Sequence, residues 1–115
     1  MKKIKVILSP DAEEVYKYLN QQSKVSKIEK SILNAVTKKV ELIKSNCHYG
    51  DPIPKNLIPE EYKKQYGIKN LFRVELPNYW RMLYSLVEGD NQIEIIAFVL
   101  EINDHKNYNK IFGYK

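Results

Sequence analysis

From Phe72 to Leu86 large apolar residues recur at every second position, interrupted at one turn: Phe72, Val74 and Leu76, then Trp80, Met82, Tyr84 and Leu86. A period of two belongs to a strand with one buried face, because successive side chains of a strand point to opposite sides. Pro77 and Asn78 supply turn chemistry, so 71–76 and 79–87 are expected as an antiparallel β-hairpin. A second turn at 88–91 leads into 92–102, where Ile93, Ile95, Ala97 and Val99 alternate with Ile96, Phe98 and Leu100. A strand apolar on both sides is expected at the centre of a sheet, covered on both faces.

The apolar face of the hairpin dictates what lies on its other face. Arg73 and Arg81 fall between the apolar positions and point the same way, and they are the only arginines beside seventeen lysines. With a turn centred near Pro77 they come to lie opposite or nearly opposite each other. Like charges so placed cost stability unless an anion or a carboxylate sits between them. A guanidinium presents a rigid fork of donors that grips phosphate or carboxylate at two points, which an ammonium cannot do. Two readings follow: a phosphate cradle, or a structural ion pair with Glu75, Glu94 or Glu101.

Upstream, 3–8 reads as a strand with Ile4, Val6 and Leu8 on one side. Ser9 and Pro10 open a helix to about residue 21, with Asp11, Glu13 and Glu14 at its positive end and Ala12, Val15, Tyr16 and Leu19 as its apolar stripe. Ser26-Lys27-Ile28-Glu29 matches a capping box, and Ile28, Ile32, Ala35, Val36, Val40 and Ile43 carry a second stripe to about residue 44. Helices joined by so few residues form an antiparallel pair. The stretch 48–70 holds Gly50, Pro52, Pro54, Pro59 and Gly67 and reads as loop, except that 59–67 fits one or two helical turns between a starting proline and a closing glycine. The expected fold class is α+β: an N-terminal strand and a two-helix hairpin packed on an antiparallel sheet of about four strands, a single domain over 1–115.

The net charge of +5 is lopsided: residues 1–47 hold ten lysines against five acids, and 48–115 hold nine basic residues against nine acids. The basic helical half is either a solvated face or a contact surface for RNA, DNA or an acidic protein. The longest apolar run, 95–100, is too short to cross a bilayer, and the start lacks the apolar stretch of a signal peptide, so no membrane and a cytoplasmic location are expected. A single cysteine, Cys47, permits no internal disulfide and reads as a packing residue. His48 and His105 are too far apart to form a metal-binding pair on one helix, and no glycine-rich phosphate loop exists, so no metal and no cofactor are expected. The tail from Asn103 onward is rich in titratable groups. His105 carries the side-chain type whose unperturbed pKa lies near neutrality, and Tyr108 and Tyr114 are suited to hydrogen bonding, base stacking or proton movement. The plainer reading is an idle terminal histidine, with Tyr108 and Phe112 anchoring a short helix.

Three stretches resemble the RelE/ParE superfamily of bacterial and archaeal toxins: Val6-Ile7-Leu8-Ser9-Pro10-Asp11-Ala12, the hairpin Phe72 to Tyr84 with its Tyr79-Trp80-Arg81-Met82-Leu83-Tyr84 strand, and His105-Lys106-Asn107-Tyr108. The resemblance covers almost the whole chain and implies the toxin half of a toxin–antitoxin pair, held by a cognate antitoxin protein. For a RelE-like member it implies ribosome-dependent cleavage of messenger RNA without a metal. Arg81 would then hold the scissile phosphate, Arg73 would support it, and His105 or Tyr108 would handle protons, with Lys69, Lys106, Lys110 and Tyr114 as further RNA contacts. The ParE branch keeps the fold and inhibits DNA gyrase without cutting RNA, so the alternative is a non-catalytic binding protein, either a gyrase inhibitor or an inactive toxin relic. Two features depart from the family pattern: Asn103-Asp104 stands where a glycine is usual, and none of Lys55, Lys63, Lys64 and Lys69 aligns with a catalytic lysine.

Overall fold

A computed structural model of the chain describes residues 4–87 and 92–100. Its elements run β1 (Lys5–Leu8), α1 (Pro10–Gln22), α2 (Lys27–Ser45), β2 (Asp51–Pro52), α3 (Glu60–Tyr66), β3 (Phe72–Glu75), β4 (Trp80–Val87) and β5 (Gln92–Leu100). The strands form one sheet in the order β1-β5-β4-β3-β2. The meander β3-β4-β5 is antiparallel, and β5 lies inside the sheet, as its doubly apolar pattern requires. Two features extend the expected sheet. β1 joins β5 in parallel, Lys5 beside Gln92 and Leu8 beside Ile95, and the long loop hides the two-residue strand β2, paired antiparallel with β3.

The helix starts form for the reasons their residues supply. Ser9 Oγ accepts from the Ala12 N–H at 3.1 Å, and Pro10 occupies the first turn. Ser26 Oγ accepts from the Glu29 N–H at 3.4 Å. The Glu29 carboxylate does not reach back to the Ser26 amide as the capping box predicts; it takes a hydrogen bond from the Ser26 hydroxyl and one from the Tyr18 hydroxyl, 3.2 Å away. α3 begins after Pro59 and ends at Gly67, whose φ of 63° is the left-handed cap that glycine adopts without steric cost.

The apolar face of the hairpin meets the apolar stripes of α1 and α2. Ala12, Leu19, Ile32, Val36 and Ile43 pack with Phe72, Val74, Leu76, Met82, Tyr84, Leu86 and Ile93 in one buried cluster. Ile28 departs from its expected place: in the first turn of α2 it is 56% exposed. Leu83 points to the other side of the sheet and is fully buried there against Ile58, Tyr62, Ile68 and Leu71, so the α3 segment covers part of the second face.

Tyr84 ties these layers together. Its ring stacks on Phe72 with centroids 5.1 Å apart, and its hydroxyl donates to the Cys47 carbonyl at 2.8 Å while accepting from the Gly50 N–H at 2.9 Å. The fit leaves no room at Gly50, where an added Cβ would stand 2.8 Å from the Tyr84 ring and 3.1 Å from the Arg73 carbonyl. Asn70 anchors the far end of the same strand: its side chain accepts from the Leu86 N–H at 2.8 Å and donates to the Leu86 carbonyl at 3.2 Å.

Tyr84→Phe leaves the Gly50 N–H and the Cys47 carbonyl without their buried partner, a loss of about 1–3 kcal/mol expected in urea unfolding. Burial pushes the Tyr84 hydroxyl above its ordinary value of 10.0, although the Gly50 hydrogen bond pulls the other way. The folded phenol therefore keeps its proton at a pH where the unfolded one has lost it. Stability is full below pH 10.0 and falls as pH rises through the raised folded value, and Tyr84→Phe should remove that part of the alkaline slope.

Candidate functional site

The β3–β4 pairing decides how the two arginines meet. The connection is Pro77-Asn78-Tyr79, centred on Asn78 and one residue later than the sequence suggests, so Glu75 faces Arg81 and Arg73 faces Leu83 across the ladder. Arg73 and Arg81 still share one face of the hairpin, but they are offset along it and not directly opposed. β2 then brings Asp51 beside Arg73. The result is a strip of alternating charge in which each guanidinium has a carboxylate as its cross-strand neighbour.

The ion pairs are loose. Arg81 Nη2 lies 3.7 Å from Glu75 Oε1, and Arg73 Nη2 lies 4.0 Å from Asp51 Oδ2. The guanidiniums are the sheltered members, with side chains 18% and 34% exposed, whereas those of Glu75 and Asp51 are 72% and 77% exposed. Of the acids expected to neutralise the arginines, Glu75 lies beside Arg81, whereas Glu101 and the Glu94 side chain fall outside the described residues; Asp51, in a stretch that reads as loop, is not among those expected. Exposed carboxylates held at such distances contribute at most about 1 kcal/mol each. A guanidinium fork has the geometry to grip a phosphate at two points.

Two concavities flank the strip and share Glu75. One, of about 520 Å³, is bounded by Glu75, Leu76, Asn78, Tyr79, Trp80 and Arg81. The other, of about 360 Å³, is bounded by Lys39, Tyr49, Gly50, Asp51, Arg73, Val74 and Glu75. In the second, Lys39 Nζ donates to the Tyr49 hydroxyl at 2.9 Å, so a lysine of α2 joins Arg73 at the same hollow. Lys39 and Tyr49 escaped the sequence reading because nothing local marks them; the Tyr84 hydroxyl bridge brings the segment after α2 to the hairpin.

Lys69 is exposed between α3 and β3. His105, Lys106, Tyr108, Lys110 and Tyr114 lie outside the described residues. Cys47 is partly buried against the main core, and His48, itself exposed, stands edge-on to Phe72 with centroids 5.8 Å apart. Among the described residues no group of three or more His, Cys, Asp or Glu side chains is placed to hold a metal ion. No helix among them is long and apolar enough to cross a membrane.

No family profile matches the chain, and no curated protein matches it by sequence. Solved structures do match it in fold. A YoeB/ParE toxin from Agrobacterium tumefaciens aligns with a TM-score of 0.59 at 10% identity, over 84% of this chain and 96% of that one. The E. coli toxin RelE, a mutant in the free state, aligns with a TM-score of 0.54 at 11% identity, over 98% and 93%. The intact E. coli RelBE toxin–antitoxin complex aligns with a TM-score of 0.52 at 11% identity, over 84% and 94%. The chain has a RelE/ParE-like toxin fold.

Because Glu75 competes with any incoming anion for Arg81, Glu75→Gln should tighten binding of a short oligonucleotide by about fivefold at low salt, the equivalent of a surface ion pair. Fluorescence anisotropy of a labelled hexamer measures it, and the gain should shrink as salt is raised.

Proposed function

We propose that this chain is the toxin of a toxin–antitoxin pair and that it cleaves messenger RNA on the ribosome, in the cytoplasm. The observation that carries this reading is the pairing of Arg73 and Arg81 with exposed, displaceable carboxylates on one face of a hairpin, within a fold that known toxins share. Arg81, the more sheltered, holds the scissile phosphate; Arg73 supports the neighbouring backbone. Lys69, Lys106, Lys110 and Tyr114 make further RNA contacts, and an antitoxin covers the site when the toxin is held silent.

In the reaction the ribose 2′-hydroxyl loses its proton to a base and its oxygen bonds to the adjacent phosphorus. The bond from phosphorus to the 5′-oxygen breaks, and that oxygen takes up a proton, leaving a 2′,3′-cyclic phosphate and a 5′-hydroxyl. His105 and Tyr108 carry the two proton transfers. The crowded phosphorane carries more negative charge than the diester it comes from, and a guanidinium already in place stabilises that difference without reorganising.

The loose ion pairs also suit a second reading, in which the arginines serve only structure and the chain inhibits a target such as DNA gyrase. Expression in cells of wild type and Arg81→Ala, with messenger RNA ends mapped, separates the two. Cleavage should fall by about 100-fold or more in Arg81→Ala, the usual loss for removing one charge-stabilising donor. Growth arrest by wild type with intact messenger RNA sinks the nuclease reading and favours the inhibitor.

A further inference from the structure

The turn between β3 and β4 carries the wrong residue for its shape. The Trp80 N–H bonds to the Pro77 carbonyl across Asn78 and Tyr79, whose φ angles are 59° and 66°. Leu76 faces Trp80, so this is a three-residue hairpin connection whose last two residues are left-handed, and glycine is ordinarily favoured at the second of them, because a Cβ in that conformation crowds the backbone. Asparagine tolerates the first position well. Tyrosine at the second does not relieve the strain, and none of the four glycines of the chain stands in this turn.

Nor does burial compensate. Tyr79 is 71% exposed, so its ring gains little from the core, and the backbone hydrogen bonds of the turn would form equally with glycine there. What the residue does have is position: it borders the 520 Å³ concavity whose wall includes Arg81 and Trp80. Strained backbone at the rim of a charged hollow points to use by a ligand. An exposed aromatic face two residues from a guanidinium matches the two halves of a nucleotide, a flat base and its phosphate.

We propose that Tyr79 is a positioning residue on which a base of single-stranded RNA stacks while Arg81 takes the adjoining phosphate. The proposal rests on the RNA reading above and adds to it the group that fixes where the strand lies. Stacking accepts any base, so the platform sets the register of the backbone without setting the sequence.

The test uses three proteins, wild type, Tyr79→Gly and Tyr79→Phe, and two 2′-O-methyl hexamers that resist cleavage, one with bases and one abasic throughout. Tyr79→Gly should melt at a higher temperature than wild type yet bind the base-containing hexamer about tenfold more weakly, while its affinity for the abasic hexamer stays unchanged. Tyr79→Phe should bind both as wild type does. Equal affinity of wild type and Tyr79→Gly for the base-containing hexamer overturns the stacking role and leaves the RNA reading standing. A lower melting temperature for Tyr79→Gly also overturns it, since the tyrosine would then be a packing residue. If wild type binds neither hexamer and leaves messenger RNA intact in cells, the RNA reading falls and takes this inference with it.

Discussion

A single buried hydroxyl organises the part of this molecule where charge is gathered. The Tyr84 oxygen joins the Cys47 carbonyl and the Gly50 amide, two polar groups just beyond the end of α2 that would otherwise be costly to bury. Pinning that segment to the middle of β4 lays Asp51 and Pro52 along β3, and only then does Asp51 stand beside Arg73. It also holds Tyr49 within reach of Lys39. Geometry that looks like surface chemistry thus depends on a bond inside the core.

The two faces of the hairpin divide the work. One is given wholly to the helices and supplies cohesion; the other is partly covered by α3 and partly left as a charged strip. Leu83 stands at the boundary, buried beneath the α3 segment and directly across from Arg73. The arginine side chains on that face are partly sheltered, which strengthens any field they project compared with fully solvated cations. Their partners, standing further into water, are the ones an incoming anion can replace.

Much of this was legible in the residues themselves. The period of two from Phe72 to Leu86 specified the faces of β3 and β4, and local signals set α1, α2 and α3: Ser9, Ser26, and the Pro59 to Gly67 frame. What escaped was non-local or conformationally unusual. The parallel pairing of β1 with β5 has no local trace, and β2 is two residues long with a proline in it, so Asp51 gave no sign of facing an arginine. The turn was misplaced by one residue because Pro77 is a strong turn signal, whereas tyrosine argues against the left-handed position that Tyr79 occupies. Ile28 fits the helical stripe by spacing, yet the first turn of α2 carries it out into solvent.

The placement of β1 has a bearing on how the chain reaches this shape. The first strand lies against the last described one, so the pairing of Lys5 with Gln92 closes a loop that contains nearly every other element. Closing so long a loop costs entropy before any contact rewards it, whereas the β3–β4 hairpin and the α1–α2 pair close short ones. During synthesis the residues of β1 therefore wait, with their partner strand not yet made, until almost all of the described chain has emerged. Among the described strands, the edge that seals the sheet is made first and its only neighbour last.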